Sequence, residues 1–367
     1  MANVSSQSLN LKAGEWVRVR TKEEILATLD RNGRLEEFPF MPQMLQYCGQ
    51  KLRVIKHAHK LCDTQFATEG RSMKDAVVLE GLRCDGKAFG GCEMGCVLIW
   101  KEAWLRRADD SGLVQLPTAS NAGCTESELR AATILPPSPD AVELGPRYVC
   151  QATQLTASTK PLSFWSISHF VLDYTSGNVR LSRLLSGIFV AIYYNLAESG
   201  LGFGSAMRWI YDKVQGIRGK TPYVHRKGHL PIKGKTPTLE LNLQPGELVR
   251  TKTHAEILDT VNYDLVNRGM GFHPELVPYC GQTFRVKFRV TKIINEKTGH
   301  LVELKNPCIV LNNVNCGGRY TKPLCCPKNS YPYWREIWLE RVEDSEVVST
   351  ECESSCQEAN SSCASVR

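Results

Sequence analysis

The sequence predicts an α+β protein in which two homologous, mainly-β units flank a helical insert. Two stretches 232 residues apart align with each other, both alternate apolar and polar residues as half-buried strands do, and the segment between them contains an apolar pattern at helical spacing. With 367 residues the chain can form two or three domains. Apolar residues at 42% and charged residues at 23% are ordinary for globular proteins, which argues against a disordered or fibrous class.

An internal repeat is the strongest signal. Residues 14–50 align without a gap with residues 246–282, and both copies end in Tyr-Cys-Gly-Gln. The motif Trp-Lys-Glu-Ala-Trp-Leu at 100–105 returns as Trp-Arg-Glu-Ile-Trp-Leu at 334–339. A tandem duplication therefore predicts one fold for both copies.

The local patterns predict the elements of each repeat in order. WVRVRT, starting at Trp16, alternates as a half-buried strand does, and KEEILATLD then places Ile25, Leu26 and Leu29 at helical spacing. PQMLQY predicts a helical turn that ends at Gly49. Further strands are predicted for KLRVIKHAHK, DAVVLEGLRC and EAWLRRA.

The order of these elements resembles small SH3-like barrels, such as the repeat modules of some ubiquitin ligases. The features that carry this resemblance are the opening strand, the Tyr-Cys-Gly turn before a long strand, and the closing strand with tryptophan. The tandem arrangement is also similar to a bacterial family of Cys-rich tandem-repeat proteins. The resemblances imply two SH3-like barrels and supply no catalytic residue.

The cysteine count points to metal. The chain has 15 cysteines, and its N-terminal residues lack the basic and apolar regions of a secretory signal, so we expect a cytoplasmic protein with reduced thiols. Metal ligation then becomes more probable than disulfides. In the repeat alignment Cys84 matches Cys316, and Cys92 matches Cys326.

Each repeat thus has four candidate thiolates, the preferred ligand set of structural zinc, and an iron–sulfur cluster would use the same number. His57 and His59 are two residues apart, so they lie on the same face of a strand and either could replace a thiolate. The competing interpretation is that some of these cysteines are buried, free and structural. The candidate metal ligands are Cys62, Cys84, Cys92, Cys96, His57, His59, Cys308, Cys316, Cys325 and Cys326.

A catalytic metal is the alternative for the first repeat. A catalytic zinc keeps one coordination position open, and its ligands here would come from Cys62, Cys84 and Cys92 with His57 or His59. One of three neighbouring carboxylates could then act as a base, namely Asp63, Asp85 or Glu93. The second repeat has no histidine in the matching strand, which makes it structural in this hypothesis. The sequence contains no GxSxG, GxxxxGK[ST] or HExxH motif, so it gives no sign of a serine hydrolase, a P-loop nucleotide site or a zinc protease.

Composition divides the rest of the chain. Pro, Ser and Ala predict a flexible linker, and residues 181–196 carry leucine and isoleucine at helical spacing, which predicts an amphipathic helix of about 18 residues. Because its other faces are also apolar, we expect this helix to be buried. The predicted segments are an N-terminal tail (1–13), the first repeat (14–107), the linker (108–145), the helical and basic insert (146–245), the second repeat (246–343) and a disordered tail (344–367).

Positive charge is concentrated in the insert. From Arg180 to Thr236 there are ten basic and two acidic residues, 10 − 2 = +8, whereas the whole chain carries +7. A local excess of this kind predicts an acidic partner. The candidates are nucleic acid, an acidic protein, a glycan or an anionic membrane surface, and the competing interpretation is a solvated loop beside a core helix. The candidate anion-binding residues are Arg218, Lys220, Arg226, Lys227, Lys233 and Lys235.

These observations predict a zinc-stapled tandem-repeat scaffold that binds an anionic partner or surface through its insert, peripheral to a membrane where that partner is lipid. The alternative is a metalloenzyme with its Cys/His site in the first repeat.

Overall fold

The computed structural model describes residues 8–65, 70–109, 123–137, 139–163, 166–219, 221–321 and 324–343. It contains both helices and antiparallel sheets, which confirms the α+β class. None of the helices in these ranges has both the length and the apolar character that a membrane span requires.

Strands are the main secondary structure of the first repeat. Its strands are β1 (Trp16–Val19), β2 (Arg34–Leu35), β3 (Phe38–Pro39), β4 (Lys51–His57), β5 (Lys60–Cys62), β6 (Gly70–Ser72), β7 (Ala76–Arg83), β8 (Val97–Lys101) and β9 (Leu105–Arg107). The insert adds β10 (Ile134–Leu135), β11 (Arg147–Tyr148) and β12 (Lys160–Leu162). The second repeat contains β13 (Leu248–Thr251), β14 (Val266–Asn267), β15 (Met270–Gly271), β16 (Thr283–Ile294), β17 (Leu301–Leu311) and β18 (Leu339–Arg341).

The longest helices lie in the insert. The α-helices are α1 (Lys22–Thr28), α2 (Glu126–Ala131), α3 (Leu155–Ser158), α4 (Ser168–Thr175), α5 (Leu181–Ala197), α6 (Gly204–Ile217) and α7 (His254–Leu258). Short 3₁₀ helices cover Pro42–Tyr47, Glu102–Trp104, Pro139–Leu144, Pro274–Tyr279 and Glu336–Trp338. The predicted linker therefore contains α2 and β10, while residues 110–122 and 344–367 lie outside the described residues.

Four strands follow the same order in the main sheets of the two repeats. The first sheet runs β8-β7-β4-β1-β9 and the second runs β17-β16-β13-β18, so that β8 alone has no counterpart in the second sheet. Trp16 pairs with Arg53 in the first sheet, and Leu248 pairs with Arg285 in the second, so both partners are displaced by 232 residues. Because the register decides which side chains of a strand face the core, aligned residues of the two repeats face the core of their own sheet.

A buried glutamate accepts hydrogen bonds from equivalent backbone N–H groups in both repeats. The Glu102 carboxylate accepts a hydrogen bond of 2.8 Å from the backbone N–H of Leu11. The Glu336 carboxylate accepts one of 2.9 Å from the N–H of Leu243, the aligned residue. Each carboxylate thereby holds the segment that leads into the first strand of its sheet.

Two compact units divide the chain. The first comprises residues 1–210, 291–304 and 315–331, and the second comprises residues 211–290, 305–314 and 332–367. The core of the first unit contains Trp100 and Trp104, both fully buried, with Phe40 edge-on to Trp104 at 5.0 Å between ring centres. The segments 291–304 and 315–331 belong to the first unit, although they lie within the second repeat of the sequence.

Candidate functional site

Strand β5 positions a group of buried polar and sulfur side chains in the first unit. It pairs antiparallel with β6, so that Lys60 lies opposite Ser72 and Cys62 opposite Gly70. The outer neighbour of β6 is β12, which comes from the insert. Because the side chains of a strand alternate, Lys60 and Cys62 share one face of this small sheet.

A buried ion pair joins β5 to α4. Lys60 and Asp173 are both fully buried, and the Lys60 ammonium donates a hydrogen bond to Asp173 Oδ2. The ammonium also lies 5.2 Å from the centre of the Phe170 ring. Burial raises the pKa of Asp173 to about 6, against the attraction of Lys60. The carboxylate is therefore mostly ionised at neutral pH and depends on its cation.

The two histidines of the HxH motif meet, and the second of them faces α4. His57 Nδ1 and His59 Nδ1 are 3.3 Å apart. His59 Nε2 lies 3.0 Å from the carbonyl oxygen of His169 and 3.4 Å from Asp173 Oδ1. Burial, followed by the charge of Lys60, lowers the pKa of His59 to about 3, so that the ring is neutral. The partners of this motif in α4 are more than 100 residues away in sequence, and no spacing rule indicates them.

Cys62 and Cys326 are in contact. The backbone N–H of Cys62 donates a hydrogen bond to Cys326 Sγ at 3.2 Å. The interaction with the Cys62 thiol lowers the pKa of Cys326 to about 7, and the interaction with Cys326, together with burial, raises the pKa of Cys62. Cys316 is close enough to raise the pKa of Cys62 further. The pair thus joins cysteines that the sequence assigns to different repeats.

The other predicted thiols of the first repeat lie near a cysteine of the insert. Burial raises the pKa of Cys84 to about 12, and the Cys150 and Cys92 thiols raise it further. Burial also raises the pKa of Cys96, with further contributions from Cys150 and Cys84. Sequence analysis did not select Cys150, because it lies outside both repeats and has no aligned counterpart.

The remaining two candidate cysteines lie apart. Cys325 is close enough to Asp173 for that carboxylate to raise its pKa, although burial contributes more. Cys308 belongs to the second unit, where its sulfur lies 3.6 Å from Arg335 Nη1 and 3.5 Å from Met270 Sδ. The unit division thus separates Cys308 from Cys316, Cys325 and Cys326.

Across the described ranges, no three or more His, Cys, Asp or Glu side chains form a group that could hold a metal ion. The sulfur atoms are instead arranged as one close pair with looser neighbours. Zinc, or an iron–sulfur cluster in its place, stays a prediction of the sequence.

Helix α4 has an inverted polarity. Its two buried residues, His169 and Asp173, are polar and lie one turn apart. Ile167, at its N-cap, and Val171 and Tyr174 share another face and are 53% to 74% exposed. A helix in water normally turns its apolar face inward. The ion pair with Lys60 accounts for the reversal, and the apolar face is left uncovered in this unit.

Helix α5 carries a longer exposed apolar row. Five large side chains along one face are 44% to 68% exposed, and at 100° per residue they fall within an arc of about 80°. The members of this row are Leu181, Leu185, Phe189, Ile192 and Leu196. The helix has 17 residues, close to the predicted length, but it buries only Leu184, Gly187, Tyr194 and Ala197. The expectation of an all-round buried helix is therefore wrong for this face.

A third row lies on α6. Ile210, Val214 and Ile217 are exposed and spaced to share one face of that helix. We call the exposed residues of α4 and α5, which both belong to the first unit, together the apolar rows. Exposed apolar patches mark interaction sites on protein surfaces.

The predicted anion-binding residues differ in their surroundings. Arg226 forms an ion pair with Asp212, and the Lys227 ammonium lies 4.8 Å from the centre of the Tyr263 ring. Lys220 lies outside the described residues. Arg218, Lys233 and Lys235 are exposed.

No protein-family model matches the chain, and no curated protein sequence matches it significantly.

Proposed function

We propose that this protein is a binding protein that attaches to an anionic lipid surface through α4 and α5. The single observation that carries the proposal is the apolar face of α4, which is exposed while the polar His169 and Asp173 are buried. Exposing that face to water has a cost, and an apolar medium removes it. A helix that lies in the membrane interface meets such a medium.

Charge favours lipid over an uncharged apolar partner. Helix α5 contains no acidic residue, and Arg180 and Arg183 lie at its exposed N-terminal end. The segment from Arg180 to Thr236 carries +8. Helices with an apolar face and basic flanks are typical of binding to anionic membrane surfaces.

The aliphatic character of the rows argues against nucleic acid and glycan partners. Nucleic acids and glycans are recognised mainly through charge, hydrogen bonds and aromatic stacking, none of which requires rows of leucine and isoleucine. Lipid uses both features, since the acyl chains take the apolar rows and the headgroups take the bases.

We also propose that the two repeats are duplicated SH3-like units that support the helices. The shared strand order, the equal registers and the paired roles of Glu102 and Glu336 support a common origin. Metal staples within the repeats stay a part of this proposal that elemental analysis can test.

Co-sedimentation with vesicles tests the lipid proposal. The wild-type protein should bind vesicles of phosphatidylcholine and phosphatidylserine at low salt and bind pure phosphatidylcholine much more weakly. The double variant Leu185→Ser and Phe189→Ser should weaken binding at least about a hundredfold, because each exposed side chain loses roughly 1.5–3 kcal/mol of burial. Both residues are exposed, so we expect little change in the free energy of unfolding.

A control and a charge variant sharpen the test. Val302→Ser with Leu239→Ser removes two exposed apolar side chains outside the helices and should leave binding unchanged. Replacing Arg218, Lys233 and Lys235 with Gln should weaken binding by about 1 kcal/mol per residue at low salt and reduce its salt dependence. Equal binding to neutral and anionic vesicles, or binding of nucleic acid alone, would contradict the proposal.

A further inference from the structure

We propose that Cys62 and Cys326 form a redox-active dithiol that a hydroperoxide oxidises to a disulfide. The inference is independent of lipid binding. It stands on the contact between the two thiols and on the groups that surround the Cys326 sulfur.

The first argument is proximity. Cys62 is the last residue of β5, and its backbone N–H lies 3.2 Å from Cys326 Sγ. A disulfide requires Cα atoms about 4.4–6.8 Å apart, and a sulfur atom in contact with the partner's backbone is compatible with that range.

The second argument is the donor at the Cys326 sulfur. This sulfur accepts a hydrogen bond of 3.2 Å from the backbone N–H of Cys62. A donor directed at a sulfur stabilises its thiolate, which is the reactive form of cysteine. Cys326 is buried, so that this donor acts with little competition from water.

The third argument is a buried cation. Lys328 is nearly fully buried, and its ammonium donates a hydrogen bond of 2.9 Å to Thr64 Oγ1. Its charge acts on Cys326 as well as on Glu296 and Cys96. A cation beside a thiolate stabilises that anion and the negative charge that develops on a leaving oxygen.

The fourth argument is the backbone before Cys326. Leu324 and Cys325 have φ of +34° and +55°, in the left-handed region that non-glycine residues rarely adopt. Such conformations persist only where the surrounding structure maintains them, and they concentrate at functional sites. Here they precede the residue that meets β5.

The reaction balances with one hydroperoxide per pair. The Cys326 thiolate attacks the terminal oxygen of the hydroperoxide, the O–O bond breaks, and the alkoxide leaves with the proton of the Cys62 thiol. The Cys62 thiolate then attacks the sulfenic sulfur, the S–O bond breaks, and water leaves after the hydroxide takes up a proton. Two thiols and one hydroperoxide thus yield one disulfide, one alcohol and one water. Hydrogen peroxide is small enough to suit a buried sulfur.

The test uses the full chain, reduced and then freed of reductant and metal by dialysis against a chelator. One equivalent of hydrogen peroxide is added, free thiols are alkylated, and the peptides are identified by mass spectrometry. We expect a Cys62–Cys326 crosslink as the main disulfide. The Cys62→Ser variant should stop at the sulfenic acid, which dimedone labels at Cys326.

Cys48 supplies the matched control, because its thiol is partly exposed and burial together with Glu23 raises its pKa. Cys48→Ser should leave crosslinking unchanged, and Cys326 should react at least about tenfold faster than Cys48. Circular dichroism checks that each variant is folded, and the wild-type crosslink map decides the question even where a variant does not fold. A main disulfide between other cysteines, such as Cys62 with Cys316, or dimedone labelling no faster at Cys326 than at Cys48, would overturn the proposal.

Discussion

Lys60→Met should lower the free energy of unfolding by about 3–5 kcal/mol, because it leaves a buried carboxylate without its cation. Asp173 is fully buried, and the Lys60 ammonium is its hydrogen-bonded cation. Asp173→Leu should lower the free energy of unfolding by a similar amount, because it leaves the buried Lys60 ammonium without its carboxylate. The double variant should recover most of the loss, since a buried ion pair replaced by apolar residues of similar size is often neutral for stability.

Urea unfolding measures these differences, with Arg250→Met as the control. Arg250 and Glu340 form an exposed ion pair, so the control should change stability by no more than about 1 kcal/mol. A Lys60→Met effect as small as the control, or a double variant as unstable as the sum of the single variants, would contradict the account of this ion pair.

The pH dependence of Lys60→Met provides a second check. Burial raises the pKa of Asp173 in the folded protein above its usual value of 3.8, and losing Lys60 should raise it further. A folded state with a raised carboxyl pKa binds protons more readily than the unfolded state, so its stability rises as the pH falls toward 3.8. The deficit of Lys60→Met relative to wild type should therefore shrink between pH 7 and pH 5.

Glu336→Ala should cost about 3–5 kcal/mol, more than the loss expected for Glu102→Ala. The Glu336 carboxylate accepts backbone N–H groups of Leu241 and Leu243 and pairs with Arg289. Glu102 accepts the backbone N–H groups of Asn10 and Leu11 and the Ser8 hydroxyl, and it has no arginine or lysine partner among the described residues. Each N–H left unsatisfied costs about 1–3 kcal/mol, and the orphaned cation adds to this. Unfolding in urea measures which of the two variants loses more stability. Glu340→Ala, at a more exposed glutamate, serves as the control.

The contribution of Glu336 to stability changes with pH in the opposite direction to that of Asp173. Burial alone would raise its pKa, but the N–H groups of Leu243 and Leu241 and the charge of Arg289 lower it. A lowered carboxyl pKa contributes stability above the unfolded pKa, and that contribution is lost as the pH falls through the folded pKa. The difference between wild type and Glu336→Ala should thus narrow in acid. Equal losses for Glu336→Ala and Glu340→Ala would contradict the role of this carboxylate.

Elements with a local cause were predictable from the sequence. Alternation in WVRVRT predicts β1, where Val17 and Val19 are buried, and the turn after PQMLQY ends at Gly49 with φ of +77°. Helix α5 follows from its apolar spacing. These features depend on neighbours within a few residues, which pattern rules describe.

The candidate site depends on contacts that no local pattern records. Lys60 meets Asp173 across 113 residues, and Cys62 meets Cys326 across 264. The apolar pattern of α5 is the same whether its face is covered or exposed, so the sequence could not decide between the two. Helix α4 is the sharper case, because burial of its polar face follows only from the position of Lys60.

Amide hydrogen exchange of the full-length protein, with and without anionic vesicles, tests the lipid proposal most directly. We expect vesicles of phosphatidylcholine and phosphatidylserine to slow exchange in residues 167–197, which contain α4 and α5, and to leave β13 and β18 unchanged. Pure phosphatidylcholine should have little effect. Protection spread evenly over the chain, or exchange in 167–197 that anionic vesicles do not alter, would contradict the claim that these helices form the membrane-binding surface.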